Sequence, residues 1–139
     1  MILVDTSVFS ELTKPRPNDH VVDWLFAHRH ETLLSTLVVA ELSVGIRTTR
    51  GADHRVLLTG WLCRLIEAHA GRIASFDLSA AEYWGAFAAP ILISEQRTGS
   101  HQFDSLIAGQ ALALDVPIAT RNVSDFDQTE VRVIDPWST

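Results

Sequence analysis

The chain has 139 residues, which is enough for one domain to bury its own hydrophobic core without stabilising metal ions or disulfides. Its single cysteine, Cys63, excludes an internal disulfide framework, and 47% apolar with 20% charged residues is ordinary for a soluble globular protein. The net charge of −6 argues against the broad basic surface with which many nucleic-acid-binding proteins hold phosphates.

The N-terminus does not predict a secretion signal, because the apolar run after Met1 lacks a basic region and stops at Asp5. The longest apolar stretches are too short to cross a bilayer and are interrupted by charges. We therefore expect a cytoplasmic protein with a single domain over residues 1–139.

Strands and helices alternate in the first half of the chain. The branched apolar run at residues 2–4 is typical of a central parallel strand, and Thr6 or Ser7 can cap a short helix that Pro15 and Pro17 terminate. Four elements follow, namely a helix over residues 18–29, a strand over 32–37, a helix over 37–51 and a longer helix over 55–71.

The second half continues the alternation. After a short strand over residues 72–76, Ser79 and Glu82 have the spacing of a capping box, which predicts Ser79 as the N-cap. The next helix, over residues 83–93, is apolar nearly all round, and Pro90 is expected to kink or end it. A helix over residues 101–114 and strands over 116–120 and 131–135 complete the chain. This order predicts an α/β fold with a mainly parallel sheet.

Several acidic and amide side chains follow predicted strands. Ligands of open α/β sheets bind beyond the carboxyl ends of the strands, where we expect Asp5, Thr120, Asn122 and Asp125. Asp104 is predicted in the first turn of a helix that begins on the same side. Taken singly, Asp5 can be explained as a helix cap and Asp104 as a partner of the helix dipole.

Glu41 has apolar neighbours on its helix, namely Leu37 at i−4, Val44 at i+3 and Gly45 at i+4. Burying an ionised carboxylate on an apolar face costs on the order of several kcal/mol of folding free energy unless it is paired with an arginine or bound to a cation. Acids that converge on one sheet edge, with few cations to neutralise them, predict a Mg²⁺ or Mn²⁺ site. Removing Asp5, Glu41, Asp104 and Asp125 would change the net charge from −6 to −2, so much of the acidity is attributable to this site.

Four segments resemble the PIN-domain family, and in particular its VapC-type toxins of the FitB-like branch. These are "ILVDTSVFSEL", "LSTLVVAELSVGI", "FDSLIAGQALALDVPIATRNVSDF" and the terminal "VIDPW". The resemblance implies a Rossmann-like three-layer α/β/α sandwich with a central parallel sheet. It also implies an endoribonuclease that depends on Mg²⁺ or Mn²⁺.

The resemblance assigns three acids to the site, Asp5, Glu41 and Asp104. The fourth position, often Thr/Ser-x-Asp, falls on Thr120-Arg121-Asn122, so either Asn122 or Asp125 is expected to complete the site. Thr6, Ser7 and Thr120 are supporting polar residues. Metal held by Asp5 and Asp104 would activate a water that Glu41 orients or deprotonates. Arg47, Arg50 and Arg121 are candidates for contacts with the RNA backbone, or else ordinary solvated arginines.

The resemblance further implies a homodimer, a cognate antitoxin that fills the acidic groove with a basic side chain, and DNA binding only through that antitoxin. Broad apolar faces at residues 57–66 and 83–92 favour such assembly. Two alternatives stay open: a PIN fold that only binds a partner, since Asn122 carries no charge, and a phosphatase. The phosphatase is disfavoured because Ser7 stands where an Asp-x-Asp motif needs its second acid.

Overall fold

The computed structural model describes residues 1–95 and 102–139. Five parallel strands form one sheet: β1 (Ile2–Val4), β2 (Thr32–Ser35), β3 (Ile73–Ala74), β4 (Ile118–Ala119) and β5 (Val133–Ile134). Six helices connect them: α1 (Thr6–Glu11), α2 (Asp19–Ala27), α3 (Thr36–Thr48), α4 (Ala52–Ala68), α5 (Leu78–Glu95) and α6 (Gln102–Leu114). A 3-10 helix, Val123–Phe126, lies between β4 and β5.

The strand order is β3-β2-β1-β4-β5, which places β1 at the centre of the sheet. The chain moves outward from β1 to β3 and then crosses back to β4, so right-handed crossovers place α1–α4 on one face and α5–α6 on the other. The predicted α/β/α sandwich with a parallel sheet is thereby confirmed. All three residues of β1 are buried, as expected for a central strand covered on both sides.

The fully buried residues come from many elements of the chain. The largest apolar members are Phe9 of α1, Phe126 of the 3-10 helix, Leu3 of β1, Leu34 of β2 and Ile118 of β4. Strands β1, β2 and β4 thus contribute directly to the core, which fixes the carboxyl ends of the central strands relative to one another. No helix within the described residues is long and apolar enough to cross a membrane.

Two predicted helix caps differ from the structure. Helix α1 is capped by Asp5 rather than by Thr6 or Ser7, because the Asp5 carboxylate already accepts the first backbone N–H of the helix. The predicted Ser79–Glu82 capping box is wrong: α5 begins at Leu78, and Asp77 Oδ1 accepts from the Ala80 amide at 3.0 Å. Ala80, in the first turn of the helix, is buried.

Pro90 does not end α5, which continues to Glu95. One missing backbone hydrogen bond is tolerated in a helix of 18 residues that packs along α6. The apolar face predicted over residues 83–92 is described as far as Ala89, and its remaining side chains lie outside the described residues, as does residue 101 of the last predicted helix. The face predicted over residues 57–66 divides: Leu62 and Leu65 are buried, whereas Leu57 is 69% exposed.

Candidate active site

Asp5 follows β1 at the carboxyl edge of the sheet and is buried. Its Oδ1 accepts a hydrogen bond from the Thr6 amide at 2.8 Å. Its Oδ2 accepts from Ser7 Oγ at 2.9 Å and from Thr120 Oγ1 at 2.8 Å. Three donors therefore hold the carboxylate in one orientation, so capping α1 and facing the sheet edge are compatible roles for a single side chain.

The loop after β4 is joined to Asp5 through hydroxyl groups. Thr120 is fully buried, and its hydroxyl accepts from the Asn122 amide at 3.1 Å while donating to Asp5. The Arg121 amide donates to Ser7 Oγ at 3.2 Å. The strand order makes this possible, because β4 pairs directly with β1.

Glu41 lies in the first half of α3, half-buried, and its Oε2 accepts from Thr6 Oγ1 at 2.7 Å. The buried face of α3 consists of Val38, Leu42 and Ile46, and Val44 is 61% exposed. The prediction that Glu41 sits on a buried apolar face is therefore wrong. The face that contains Glu41 turns towards an open cleft, which allows water to reach the carboxylate.

That cleft has a volume of about 340 Å³ and lies between α1, α3 and α4. Thr6 and Ser10 of α1 and Thr13, just beyond the helix, line one side, and Trp61 of α4 contributes an aromatic wall. Thr6 was predicted as a supporting residue, whereas Ser10 and Thr13 were not predicted. The i, i+4 spacing of Thr6 and Ser10 was a visible signal, since it places both on one side of the helix.

Asp104, in the first turn of α6, has a pKa raised to about 7. Burial is the main cause, followed by the negative charge of Asp5, a hydrogen bond and charge from Asp125, and the charge of Glu41. The structure thus brings Asp5, Glu41 and Asp125 close enough for their charges to act on Asp104. Near neutral pH this crowding is relieved by a proton on Asp104, or by a cation.

Carboxylate and hydroxyl oxygens are the donors that hard divalent cations prefer, so the chemistry of this cluster fits Mg²⁺ or Mn²⁺. In the conformation of residues 1–95 and 102–139, no group of three His, Cys, Asp or Glu side chains is arranged to hold a metal ion. A hydrogen bond with Asp125 contributes to the raised pKa of Asp104. A cation bound at this cluster would compete with the proton that the raised pKa favours on Asp104 near neutral pH.

The remaining predicted residues lie at the surface around the acids. Asn122 is exposed and precedes the 3-10 helix without a side-chain cap bond. Arg121 is exposed, with Cζ 5.4 Å from the centre of the Trp137 ring. Arg47 and Arg50 are exposed near the end of α3, and Arg47 is six residues beyond Glu41, about 9 Å along the helix axis.

Glu11 is a further residue near the site that was not predicted from the sequence. It is buried at the end of α1, and it accepts hydrogen bonds from Lys14 Nζ at 2.5 Å and from the Asn18 amide at 3.0 Å. The hydrogen bond from Lys14 lowers the pKa of Glu11, against the effect of burial, and the charge of Arg121 contributes in the same direction. This carboxylate ties the loop before α2 to α1, close to the same sheet edge.

Comparison with known proteins gives consistent results. A family model for the PIN domain matches residues 2–131. Plasmid stability protein StbB of Pseudomonas syringae pv. tomato is 37% identical to this chain. VapC ribonuclease Y4jK of Sinorhizobium fredii is 35% identical, and Toxin FitB of Neisseria gonorrhoeae is 33% identical. Each alignment covers 99% of this chain and 98–99% of the relative.

Solved structures agree with these relatives. The crystal structure of FitAcB from Neisseria gonorrhoeae superposes with a TM-score of 0.88 at 30% identity, over 100% of both chains. The structure of FitAB bound to an IR36 DNA fragment superposes with a TM-score of 0.84 at 31% identity, over 99% of this chain and 96% of the other.

Proposed function

Because the chain belongs to the PIN-domain family, we propose that it is a metal-dependent endoribonuclease that acts as the toxin of a toxin–antitoxin pair. The family membership confirms the resemblance found in the sequence. Relatives named VapC ribonuclease and Toxin FitB, each more than 30% identical along nearly the whole chain, support the proposed activity and role.

One observation carries the proposal. Asp5, Glu41 and Asp125 act through their charges on Asp104, at the edge of the sheet where ligands of open α/β folds bind. Four acids in one charged neighbourhood destabilise a fold unless a cation or a positively charged partner compensates them. Such a cluster is costly for a structural core and useful for a phosphodiesterase.

In this proposal Asp5, Asp104 and Glu41 hold Mg²⁺ or Mn²⁺, and either Asn122 or Asp125 is the fourth site residue. The ion supplies activation of water and neutralisation of charge on the scissile phosphate. Ser7 and Thr120 fix the Asp5 carboxylate, and Thr6 orients Glu41, which orients or deprotonates the attacking water. Arg47, Arg50 and Arg121 are proposed contacts for the RNA backbone.

We further propose that the protein works in the cytoplasm as a homodimer, in a heterotetramer or larger assembly with its antitoxin. A basic side chain of the antitoxin would enter the acidic groove, where it compensates the same charges as the metal ion. Contact with DNA would occur only through the antitoxin; the FitAB structure with DNA supports an assembly of this kind.

A binding-only role is the second candidate, and Asn122 is the observation in its favour, because an amide replaces the acid often found at this position. Asp125 is an argument against this alternative, since its charge and its hydrogen bond both act on Asp104.

The test is cleavage of total bacterial RNA by purified protein freed of its partner, compared in EDTA, Mg²⁺ and Mn²⁺. We expect discrete cuts with 5′-phosphate ends that require the metal and disappear in Asp5→Asn. Asp23→Asn is the matched control, because Asp23 is an exposed acid on α2. Equal activity of Asp5→Asn and the unchanged protein would contradict the proposal, whereas inactivity of a folded, metal-loaded protein would favour the binding-only role.

A further inference from the structure

The turn after β5 holds Trp137 rigidly at the carboxyl edge of the sheet. The Trp137 amide donates to Asp135 Oδ1 at 3.0 Å, and the Ser138 amide donates to the Asp135 carbonyl at 3.2 Å. Pro136 is buried, and the half-buried Trp137 ring packs against the hydrophobic core. The ring therefore has a fixed position relative to the strands.

Arg121 is held at two points: Trp137 contacts its guanidinium, and its backbone amide is hydrogen-bonded to Ser7, which is in turn bonded to Asp5. Its guanidinium Cζ lies 5.4 Å from the centre of the Trp137 ring, within the range of a cation–π contact. Its backbone amide donates to Ser7 Oγ, and that hydroxyl in turn donates to Asp5 Oδ2. A single hydroxyl thus connects the backbone of Arg121 to the carboxylate at the centre of the site.

An aromatic partner affects an arginine differently from a carboxylate. The ring restricts the motion of the guanidinium but leaves its positive charge and its N–H donors available to another group. An RNA phosphate approaching four acids is repelled by their charges, so a positioned cation beside them would offset part of this repulsion.

We propose that Trp137 is a positioning residue that holds Arg121 for contact with an RNA phosphate beside Asp5, an inference that rests on the proposed function. The residue that touches RNA is Arg121, and Trp137 acts through it. The terminal "DPW" segment then belongs to the substrate site, although it contributes no acid to it.

The experiment measures binding of a fluorescein-labelled single-stranded RNA in Mg²⁺, with Asp5→Asn present in every variant to prevent cleavage. Trp137→Leu keeps apolar volume but removes the aromatic face, whereas Trp137→Phe retains an aromatic face. We expect Leu to weaken binding about two- to fivefold, the loss expected for an exposed cation–π contact, and Phe to restore most of it. The slope of log K against log salt should also fall by up to about 0.7, equivalent to one phosphate contact.

Arg121→Gln completes the design, because in that background Trp137→Leu should have no further effect. Phe26→Leu is the matched control: Arg29 Cζ lies 4.4 Å from the Phe26 ring centre, and this exposed pair stands before β2, at the opposite edge of the sheet. Thermal melts accompany each variant, and Trp137→Met is used if Leu lowers stability.

The outcomes are separable. Unchanged binding by Trp137→Leu, or equal weakening with and without Arg121, overturns the positioning role while the nuclease proposal stands. Absence of RNA binding by all variants, together with absence of cleavage when Asp5 is present, overturns the nuclease proposal itself and this inference with it.

Discussion

At the scale of single residues, Asp5 has two roles that the sequence presents as alternatives: a helix cap and a candidate metal ligand. It caps α1 through Oδ1, and Oδ2 is held by two hydroxyls, so the side chain is already oriented before any ligand arrives. The sequence could predict the acid and its place after β1. It could not predict the donor from Thr120, because that contact depends on β4 pairing beside β1.

Thr120→Val tests this orienting contact. Valine has nearly the same shape but removes the hydroxyl that donates to Asp5 and accepts from Asn122. We expect the free energy of unfolding to fall by about 1 kcal/mol and RNA cleavage to fall by roughly tenfold, a loss typical of a residue that orients a metal ligand. Urea denaturation and initial cleavage rates measure the two effects.

Thr129→Val is the control for Thr120→Val. Like that of Thr120, the Thr129 hydroxyl accepts from the amide two residues later, but it donates to the Phe126 carbonyl rather than to Asp5. It should lower stability by a similar amount and leave cleavage unchanged. Loss of cleavage in both variants to the same degree would mean that stability alone explains the result.

At the scale of elements, helices α5 and α6 approach each other closely at Gly109. A Cβ atom there would lie 2.7 Å from Trp84 Cβ and 3.1 Å from the Ala80 carbonyl oxygen. Trp84 Nε1 also donates to Ser105 Oγ at 3.0 Å, which fixes the register of the two helices. Glycine at this position allows α6, which begins with Asp104, to approach α5 closely.

Gly109→Ala is expected to reduce the free energy of unfolding by about 1–3 kcal/mol, because the backbone of α5 has to move. Helix propensity alone predicts the opposite, a gain of about 1 kcal/mol. Gly85→Ala on α5 is the control, since nothing lies within 4 Å of the added methyl group, and it should be neutral or stabilising. Guanidinium denaturation distinguishes the two. Equal stabilisation by both substitutions would contradict the close contact.

The elements also show what pattern reasoning can and cannot predict. Apolar runs and periodicity were sufficient for all five strands and six helices, since these signals are local. The start of α5 was missed because Asp77 and Ser79 are both good caps, and the sequence alone does not indicate that Asp77 is the one that accepts from the Ala80 amide. The exposure of Val44 was missed for a similar reason, because the surroundings of a helix face depend on which neighbouring helices cover it.

At the scale of the whole molecule, His69 joins three elements. It follows α4, its ring and the Phe9 ring of α1 meet edge-to-face, and its Nε2 lies 3.0 Å from Thr32 Oγ1 of β2. Its Nδ1–H donates to the Leu65 carbonyl at 2.8 Å, so in the neutral ring Nε2 accepts from the Thr32 hydroxyl. Burial lowers the pKa of His69 below its usual value of 6.5.

This lowered pKa predicts that the contribution of His69 to stability is sensitive to acid. Between the folded pKa and 6.5 the unfolded chain binds the proton more readily, so this contribution to the free energy of unfolding falls as the pH drops below about 6.5, opposite in sign to that of Asp104, whose raised pKa favours the folded chain at low pH. In urea denaturation between about pH 8 and pH 5, His69→Gln should therefore lose less stability on acidification, or gain more, than the unchanged protein. His30→Gln, at an exposed site, should not. Parallel pH profiles of the unchanged protein and His69→Gln would contradict this role.

The hydrogen bond between Thr120 and Asp5 joins residues 115 positions apart in the chain. At synthesis rates of about 5–20 residues per second, roughly 6–23 seconds separate the appearance of the two side chains on the ribosome. A nascent or truncated chain that stops before β4 already contains Asp5, Glu41 and Asp104 but lacks the hydroxyl that orients the first of them. Partial translation products of this length therefore lack the contact that orients Asp5 in the folded chain.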